Sequence, residues 1–271
     1  MFYRAGSSKN MSAMRTTFRN VLTNDSLRMR AARGVMLTGL AFGTQNILRL
    51  AGNLVLTRLL FPEAFGLMAI VFIVISAINN LSDLGIKSWI VQDDNGDKSE
   101  YLNSAWVLQI LRGLLIALLI WAFSGLIADF YEQPLLAQLL PIAGIGALLE
   151  GFISPKLATA ERTLQLGRVT ALQITTQVRG LAATVILALT LQSVWALVLG
   201  YLVGALSMAV LSHIVLNGHR DRFVFYAGHA RSILGFGSYI FIASIAGFII
   251  AQGDRAILGK ITTLEELALY N

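Results

Sequence analysis

The sequence predicts an all-α membrane protein that crosses the bilayer several times. Hydrophobic residues make up 56% of the 271 residues and charged residues 13%, and the mean hydropathy is +0.68. A typical soluble domain carries about 25% charged residues, so this chain is unusually apolar. The apolar residues form blocks of about 20 to 27 residues, which as helices can span a hydrocarbon layer about 30 Å thick. These blocks are too long for strands and lack the alternation of a membrane β-barrel.

About seven such blocks are predicted to be transmembrane helices. They cover residues 34–60, 64–85, 103–128, 135–154, 169–191, 193–216 and 233–253. The chain is therefore divided into a basic leader at 1–33, a six-helix lobe at 34–220, and a last part at 221–271. We interpret that last part, which holds helix seven, as the truncated start of a second lobe.

The basic residues indicate the orientation of these helices. The leader contains Arg4, Lys9, Arg15, Arg19, Arg28, Arg30 and Arg33. Alternate loops are also basic, whereas the loops of the other side hold Arg58, Arg255 and Lys260. Because basic loops remain in the cytoplasm, the N-terminus is predicted to be cytoplasmic. The leader is interpreted as a tail that lies on anionic headgroups, with an organellar transit peptide as the alternative.

The composition also excludes several kinds of chemistry. The chain has no cysteine, so disulfides, thiol nucleophiles and cysteine-ligated zinc are excluded. It has no P-loop, HExxH or GxSxG motif. His213, His219 and His229 are interpreted as scattered solvated residues. We therefore expect no enzyme activity and no cofactor, and the excess of basic residues is explained by membrane topology rather than by nucleic-acid binding.

Three arginines are predicted to lie at bilayer depth, namely Arg49, Arg112 and Arg179. A charge at that depth costs roughly 3 to 10 kcal/mol, so it is retained only where it faces water, a partner or a substrate. Three charges of one sign predict a cationic cavity for an anion. The alternative is a scaffold role, in which each arginine binds helix carbonyls or pairs with Asp83 or Glu150.

Neighbouring polar residues extend the predicted cavity. Gln45 and Asn53 are spaced by four residues on either side of Arg49, and Gln177 lies on a polar stripe of the fifth predicted helix. Asp83, Glu150 and Asp254 are candidate ion-coupling carboxylates, with capping or loop bracing as the alternative.

The sixth predicted helix is different, because its interior offers only Tyr201 and Ser207 as polar side chains. Gly39 with Gly43, and Gly200 with Gly204, have the GxxxG spacing that permits close helix packing. The sixth helix is therefore expected to face lipid or to pack through its small residues.

A weak internal repeat links the two ends of the chain. The pattern L-x-F-G-[ST] occurs at residues 40–44 and again at 234–238, and each helix that follows ends near an arginine, Arg58 or Arg255. Six helices separate the two copies, so the repeat is predicted to be parallel.

Three further segments resemble a known family. They are residues 57–67 with 81–86, Ser154-Pro155-Lys156 with Glu161, Arg162 and Leu166, and residues 253–260. Together they resemble the polysaccharide-transporter branch of the MOP flippase superfamily. The resemblance implies two six-helix bundles around a central cavity and a mechanism of alternating access. This chain has roughly half the spans of such a protein, so it is a fragment, a truncated product or a subunit that pairs with another.

The resemblance also implies a cargo and a location. The cargo is an undecaprenyl-pyrophosphate-linked oligosaccharide, moved across the bacterial inner membrane for surface polysaccharide biosynthesis. Arg49, Arg112 and Arg179 are then expected to meet the pyrophosphate. Partners are the lipid-linked oligosaccharide and membrane lipids, with the polysaccharide polymerase and export machinery as further candidates; the sequence fixes no oligomeric state.

Three other functions remain as alternatives. A multidrug or organic-ion exporter of the same superfamily is disfavoured for cationic cargo, because a cationic cavity repels cations. A non-transporting membrane scaffold would use the arginines for stability alone. A membrane glycosyltransferase or polymerase would usually have a larger outward loop than this chain offers.

Overall fold

The computed structural model of the chain describes residues 39–40, 42–82 and 84–270, apart from the side chains of residues 81 and 236–243. All regular structure in these ranges is helical, which confirms the all-α class. The leader at 1–33 and Asp83 lie outside the described residues, so the predictions made for them stay predictions.

The chain order of the helices follows the apolar blocks. Their bounds are α1 (42–59), α2 (Pro62–Leu81), α3 (Ile86–Gln92), α4 (Ser99–Phe130), α5 (Leu136–Gly151), α6 (Lys156–Arg162), α7 (Leu166–Leu191), α8 (Trp195–Val215), α9 (Ala227–Ile261) and α10 (Leu264–Tyr270).

Among the described residues, four helices are long and apolar enough to cross a membrane, namely α2, α4, α7 and α8. α5 and α6 together form a fifth candidate, which bends by 57° between the two helices. The first and seventh predicted spans fall on α1 and α9, which are helical but do not belong to this set. The multi-pass helical architecture is therefore confirmed, whereas the number of seven spans stays a prediction.

α2 is the most deeply packed of these helices. Its start is set by Pro62 in the first turn, where proline costs no hydrogen bond, and by Glu63, whose charge suits the positive end of the helix dipole. Ile70 and Val71 in its middle are fully buried. They belong to a core that also takes side chains from α4, α5, α8 and α10.

Glycines set the closest helix contacts. A Cβ atom at Gly113 of α4 would lie 2.7 Å from the carbonyl oxygen of Ala147, and one at Gly200 of α8 would lie 1.8 Å from Oγ1 of Thr184 on α7. The predicted packing at Gly200 is therefore confirmed. At Gly39 and Gly43 such an atom would have no described neighbour within 4 Å.

The last two helices pack directly on the first part of the chain. A Cβ atom at Gly66 of α2 would lie 2.2 Å from the carbonyl oxygen of Leu264, the first residue of α10. Leu267 of α10 is 1% exposed and belongs to the same core as Ile70. The predicted domain division at residues 220 and 221 is not tested by these contacts.

At one end of the bundle, two basic residues bind the ends of other helices. The Nζ of Lys156 donates hydrogen bonds to the carbonyls of His213 (3.0 Å) and Leu216 (3.3 Å) at the end of α8. Nη1 of Arg162 donates to the carbonyls of Ile90 (2.8 Å) and Asp93 at the end of α3. These donors satisfy carbonyls that helix ends leave without a partner, and they also suit the negative end of the helix dipole.

The interpretation of the histidines as solvated is wrong, because all three rings contact other groups of the fold, and His229 stacks on the ring of Tyr101 with 3.9 Å between the centroids. Nδ1 of His213 lies 3.0 Å from the buried carboxylate of Asp221, and Nε2 of the same ring lies 2.9 Å from the carbonyl of Phe152. Nε2 of His219 lies 2.7 Å from Oδ1 of Asn103, and burial lowers the pKa of His219. The rings of His213 and His219 join loop residues to helices, a role that spacing along the chain does not reveal.

Candidate functional site

A cavity of about 620 Å³ lies among α2, α4, α5, α7 and α8. We call it the Arg112 cavity. Most of its wall is apolar, and the polar side chains that line it are few. They are Asn79, Gln109, Arg112, Glu150, Thr176, Gln177, Thr184 and Tyr201.

Arg112 is half-buried and bound to the end of α2. Its Nη2 donates to the carbonyl oxygen of Asn79 at 2.8 Å and to Oδ1 of the same residue at 3.1 Å, while Nε donates to Oγ of Ser82 at 3.2 Å. The guanidinium therefore caps the C-terminal end of α2, where the helix dipole is negative, and it also lines the cavity. This geometry shows the carbonyl contact of the scaffold alternative, and the substrate role of Arg112 stays a prediction.

Glu150 lies in the same cavity as Arg112, and the charges of the two groups interact. The hydroxyl of Tyr201 donates a hydrogen bond of 3.1 Å to Oε1 of Glu150, and Nε2 of Gln109 donates to its backbone carbonyl at 3.2 Å. The sequence did not assign Tyr201 to the cavity. Its signal was that Tyr201 and Ser207 are the polar side chains of an otherwise apolar stretch of helix, because such groups need a partner inside the bundle.

The polar stripe of α7 meets α1 as well as the cavity. Gln177 lines the cavity, and its Nε2 donates to the carbonyl of Gln45 at 2.9 Å. Nε2 of Gln45 in turn donates to Oε1 of Gln173 at 3.3 Å. Gln45 therefore positions α1 against α7 in this structure rather than lining either described cavity.

A second cavity, of about 710 Å³, lies among α1, α2, α9 and α10. We call it the Arg49 cavity. It is lined by Arg49 and Asn53, both predicted, and by Arg255, Gln252 and Ser76. Arg255 had no predicted substrate role, because its approach to Arg49 depends on how α9 packs on α2.

The structure thus separates the predicted arginines. Arg112 lies in one cavity with Glu150 and Gln177, whereas Arg49 lies in the other with Asn53. Arg179 is exposed on α7 and lines neither of these cavities.

Asp254 also lies outside both cavities. It is exposed, and its Oδ2 accepts a hydrogen bond of 2.7 Å from the hydroxyl of Tyr270. Among the residues whose side chains are described, no group of histidine and acidic residues is arranged to hold a metal ion.

A bundle of long apolar helices around two cavities that each hold at least one arginine defines a multi-pass α-helical membrane protein. A family model described as "polysaccharide biosynthesis protein" matches residues 55–271, and the chain belongs to that family. The resemblance found in the sequence is thereby confirmed.

Individual relatives agree with this family. The lipopolysaccharide biosynthesis protein WzxC of Escherichia coli K12 is 23% identical over 91% of this chain and 50% of its own length. The succinoglycan biosynthesis transport protein ExoT of Rhizobium meliloti is 23% identical over 80% of this chain and 44% of its own length. The teichuronic acid biosynthesis protein TuaB of Bacillus subtilis is 22% identical over 70% of this chain and 39% of its own length. The chain therefore spans about half the length, or less, of these relatives. No solved structure matches it.

Proposed function

We propose that the chain acts in the movement of lipid-linked oligosaccharide units across the bacterial inner membrane, in the manner of a flippase. The observation that supports this function best is the position of Arg112. A guanidinium at membrane depth, in a cavity with mostly apolar walls, is suited to an anionic head group that must leave water. Membership of the polysaccharide biosynthesis protein family supplies the class of cargo.

The chemistry of the Arg112 cavity fits an undecaprenyl-pyrophosphate cargo. A guanidinium can bind phosphate oxygens in a bidentate fork, and the low dielectric of the bundle strengthens that contact. The side-chain amides of Gln109 and Gln177 offer donors and acceptors to sugar hydroxyls. The apolar walls suit the lipid chain.

The cycle that we propose is alternating access, with the N-terminus in the cytoplasm and the cargo moving to the periplasmic leaflet. Because the chain spans about half the length of its relatives, the cycle belongs to the whole assembly rather than to this bundle alone. Polysaccharide polymerase and export machinery are candidate partners of that assembly.

Glu150 is the favoured ion-coupling carboxylate, since it shares the cavity with Arg112. When Glu150 is ionised it offsets part of the charge of Arg112, and when protonated it removes that contribution. Asp83 and Asp254 stay candidates from the sequence, and Arg179 stays a predicted cargo contact.

The test is the surface polysaccharide of cells that carry Arg112→Gln. We expect at least a tenfold loss, with Arg112→Lys intermediate, because lysine retains the charge but not the fork. Arg58→Gln is the matched control, because Arg58 is an exposed arginine that lines neither cavity. Polysaccharide is measured beside the amount of protein in the membrane.

Two results would contradict the proposal. Normal polysaccharide in Arg112→Gln cells would remove the cargo role of this arginine. A loss of polysaccharide that only follows a loss of protein, and that Arg112→Lys restores in full, would favour the scaffold function instead.

A further inference from the structure

The segment between α8 and α9 is bound to α4 through its backbone. We call residues 217–226 the α8–α9 linker. The amide of Arg222 donates a hydrogen bond of 2.9 Å to Oδ1 of Asn103, and the amide of Tyr226 donates one of 3.1 Å to Oγ of Ser104. Both acceptors are buried in α4, near its start. The helix bundle therefore fixes the path of the linker.

The one carboxylate of the linker points into the bundle. The side chain of Asp221 is 2% exposed, and its Oδ2 accepts a hydrogen bond from Oγ of Ser154 and lies 3.0 Å from Nδ1 of His213. Its two neighbours, Arg220 and Arg222, are exposed. Their Cα atoms are two residues apart and so lie at most about 7 Å from each other. Burial of Asp221 thus leaves two adjacent guanidinium groups on the surface, with no acid of the linker exposed beside them.

Two phenylalanines are exposed next to these arginines. Phe223 is 72% exposed and Phe225 is 49% exposed. The amide of Val224 donates a hydrogen bond of 2.8 Å to the carbonyl of Arg222, which makes a three-residue turn with Phe223 at its tip. The ring of Phe223 also lies against the buried Trp106, with 4.6 Å between the centroids. The linker therefore presents apolar rings and positive charge on one short, ordered stretch.

The linker directly follows a helix that is able to cross a membrane. α8 has 21 residues and ends at Val215. At 1.5 Å per residue its length is about 31 Å, which matches a hydrocarbon layer about 30 Å thick. The linker is therefore expected to lie at the level of the lipid headgroups. Aromatic rings are enriched at that level, and basic side chains there attract anionic lipids.

We propose that the α8–α9 linker binds the headgroup of an anionic phospholipid. Arg220 and Arg222 hold the phosphate, while Phe223 and Phe225 enter the boundary between headgroups and acyl chains. The exposed Arg231, in the second turn of α9, adds a third positive charge. None of these residues lines either cavity, so the site is separate from the proposed cargo and does not rest on the proposed function.

The combination of charge and apolar contact favours a lipid over a free anion. A guanidinium fork binds phosphate oxygens in pairs, and the inward turn of Asp221 removes the nearest competing acceptor. A free phosphate ion would satisfy the arginines but would leave Phe223 and Phe225 in water. A phospholipid at the membrane surface meets both requirements at once.

Such a lipid would hold the linker from the side opposite to α4. Asn103 and Ser104 bind the backbone of the linker from within the bundle, and the lipid would bind its outward side chains. α9 begins at the end of the linker, so the bound lipid would fix the point at which α9 leaves the membrane surface.

Lipid binding in detergent tests the site. The protein is purified from the membrane of its own cell, in the form that the cell makes, stripped of lipid, and titrated with phosphatidylglycerol while native mass spectrometry counts the bound molecules. We expect Arg220→Gln/Arg222→Gln to weaken the tightest binding at least fivefold. Arg220→Lys/Arg222→Lys should weaken it less, because lysine keeps the charge but not the fork. The control is Arg58→Gln/Arg168→Gln, which removes two exposed arginines outside the linker.

Two further arms identify the occupant. Phe223→Ala/Phe225→Ala is expected to weaken phosphatidylglycerol binding at least threefold although both arginines remain. Phosphatidylcholine should bind the wild type and Arg220→Gln/Arg222→Gln equally, and inorganic phosphate at the same concentration should not displace phosphatidylglycerol. The melting temperature of each variant in detergent checks that these surface changes leave the fold intact.

Three results would overturn the lipid site. The first is equal phosphatidylglycerol binding by Arg220→Gln/Arg222→Gln and the control. The second is an equal loss of phosphatidylcholine and phosphatidylglycerol, which would exclude recognition of the anionic headgroup. The third is displacement of the lipid by inorganic phosphate, which would show a general anion site. Surface polysaccharide is not measured in these arms, so their failure would leave the proposed function standing.

Discussion

Replacing Gly200 by leucine is expected to remove most of the protein from the membrane. The Cβ alone would lie 1.8 Å from Oγ1 and 2.9 Å from Cα of Thr184. Rotation of Thr184 cannot relieve the second contact, because that atom belongs to the backbone. Such a rotation of Thr184 would also break the hydrogen bond of 2.9 Å that its Oγ1 donates to the carbonyl of Gly180. α7 and α8 must therefore separate, and overpacking of this kind costs about 1 to 3 kcal/mol or more.

The amount of protein in the membrane and the melting temperature in detergent measure this effect. Gly125→Leu is the matched control, because a Cβ at that position of α4 has no described atom within 4 Å. We expect the control to accumulate as the wild type does. If Gly200→Leu accumulates and melts like Gly125→Leu, the close packing of α7 on α8 is wrong.

Replacing Glu150 by glutamine is expected to remove most of the pH dependence of anion binding. In the wild type, ionised Glu150 offsets the charge of Arg112 and repels an anion, whereas protonation ends both effects. Binding should therefore tighten as the pH falls through the titration of Glu150. In the glutamine variant the site should stay in its tight state at every pH. The expected difference at high pH is about tenfold, or ~1.4 kcal/mol, within the usual range of coupling between two sites.

The measurement is the ratio of wild-type to variant affinity for inorganic pyrophosphate from pH 5 to pH 8, because the ratio cancels the titration of the probe itself. Tyr201→Phe is the control, since it removes one hydrogen bond from Glu150 and keeps the carboxylate. We expect its pH dependence to remain. A ratio that does not change with pH would show that Glu150 is not coupled to the anion.

Position along each helix could be predicted from the sequence, whereas direction around the helix could not. Arg112 and Arg179 were both predicted from their distance to the helix ends. Arg179 follows Gln177 by two residues, which rotates it about 200° around α7, and it is exposed while Gln177 lines the cavity.

Contacts between distant segments were also beyond sequence analysis. Arg255 meets the Arg49 cavity only because α9 packs on α2, and no local pattern encodes that contact. The short helices α3, α6 and α10 were missed as well, because seven-residue helices are too short to show a clear apolar period. The GxxxG pair at Gly200 was the exception, since a short local pattern was enough to predict a close approach.

The Nζ of Lys156, held by two carbonyls at the end of α8, has a consequence for chemical labelling. An amine-directed acylating reagent needs a free ammonium group that can lose its proton. Lys98 offers one, with an exposed side chain whose ammonium group makes no hydrogen bond or ion pair among the described residues, whereas the amine of Lys156 is occupied by its acceptors. The acylation rate of Lys156 relative to that of Lys98 therefore measures how often α6 detaches from α8. This rate reports motion at the bend between α5 and α6, and it needs no label introduced by mutation.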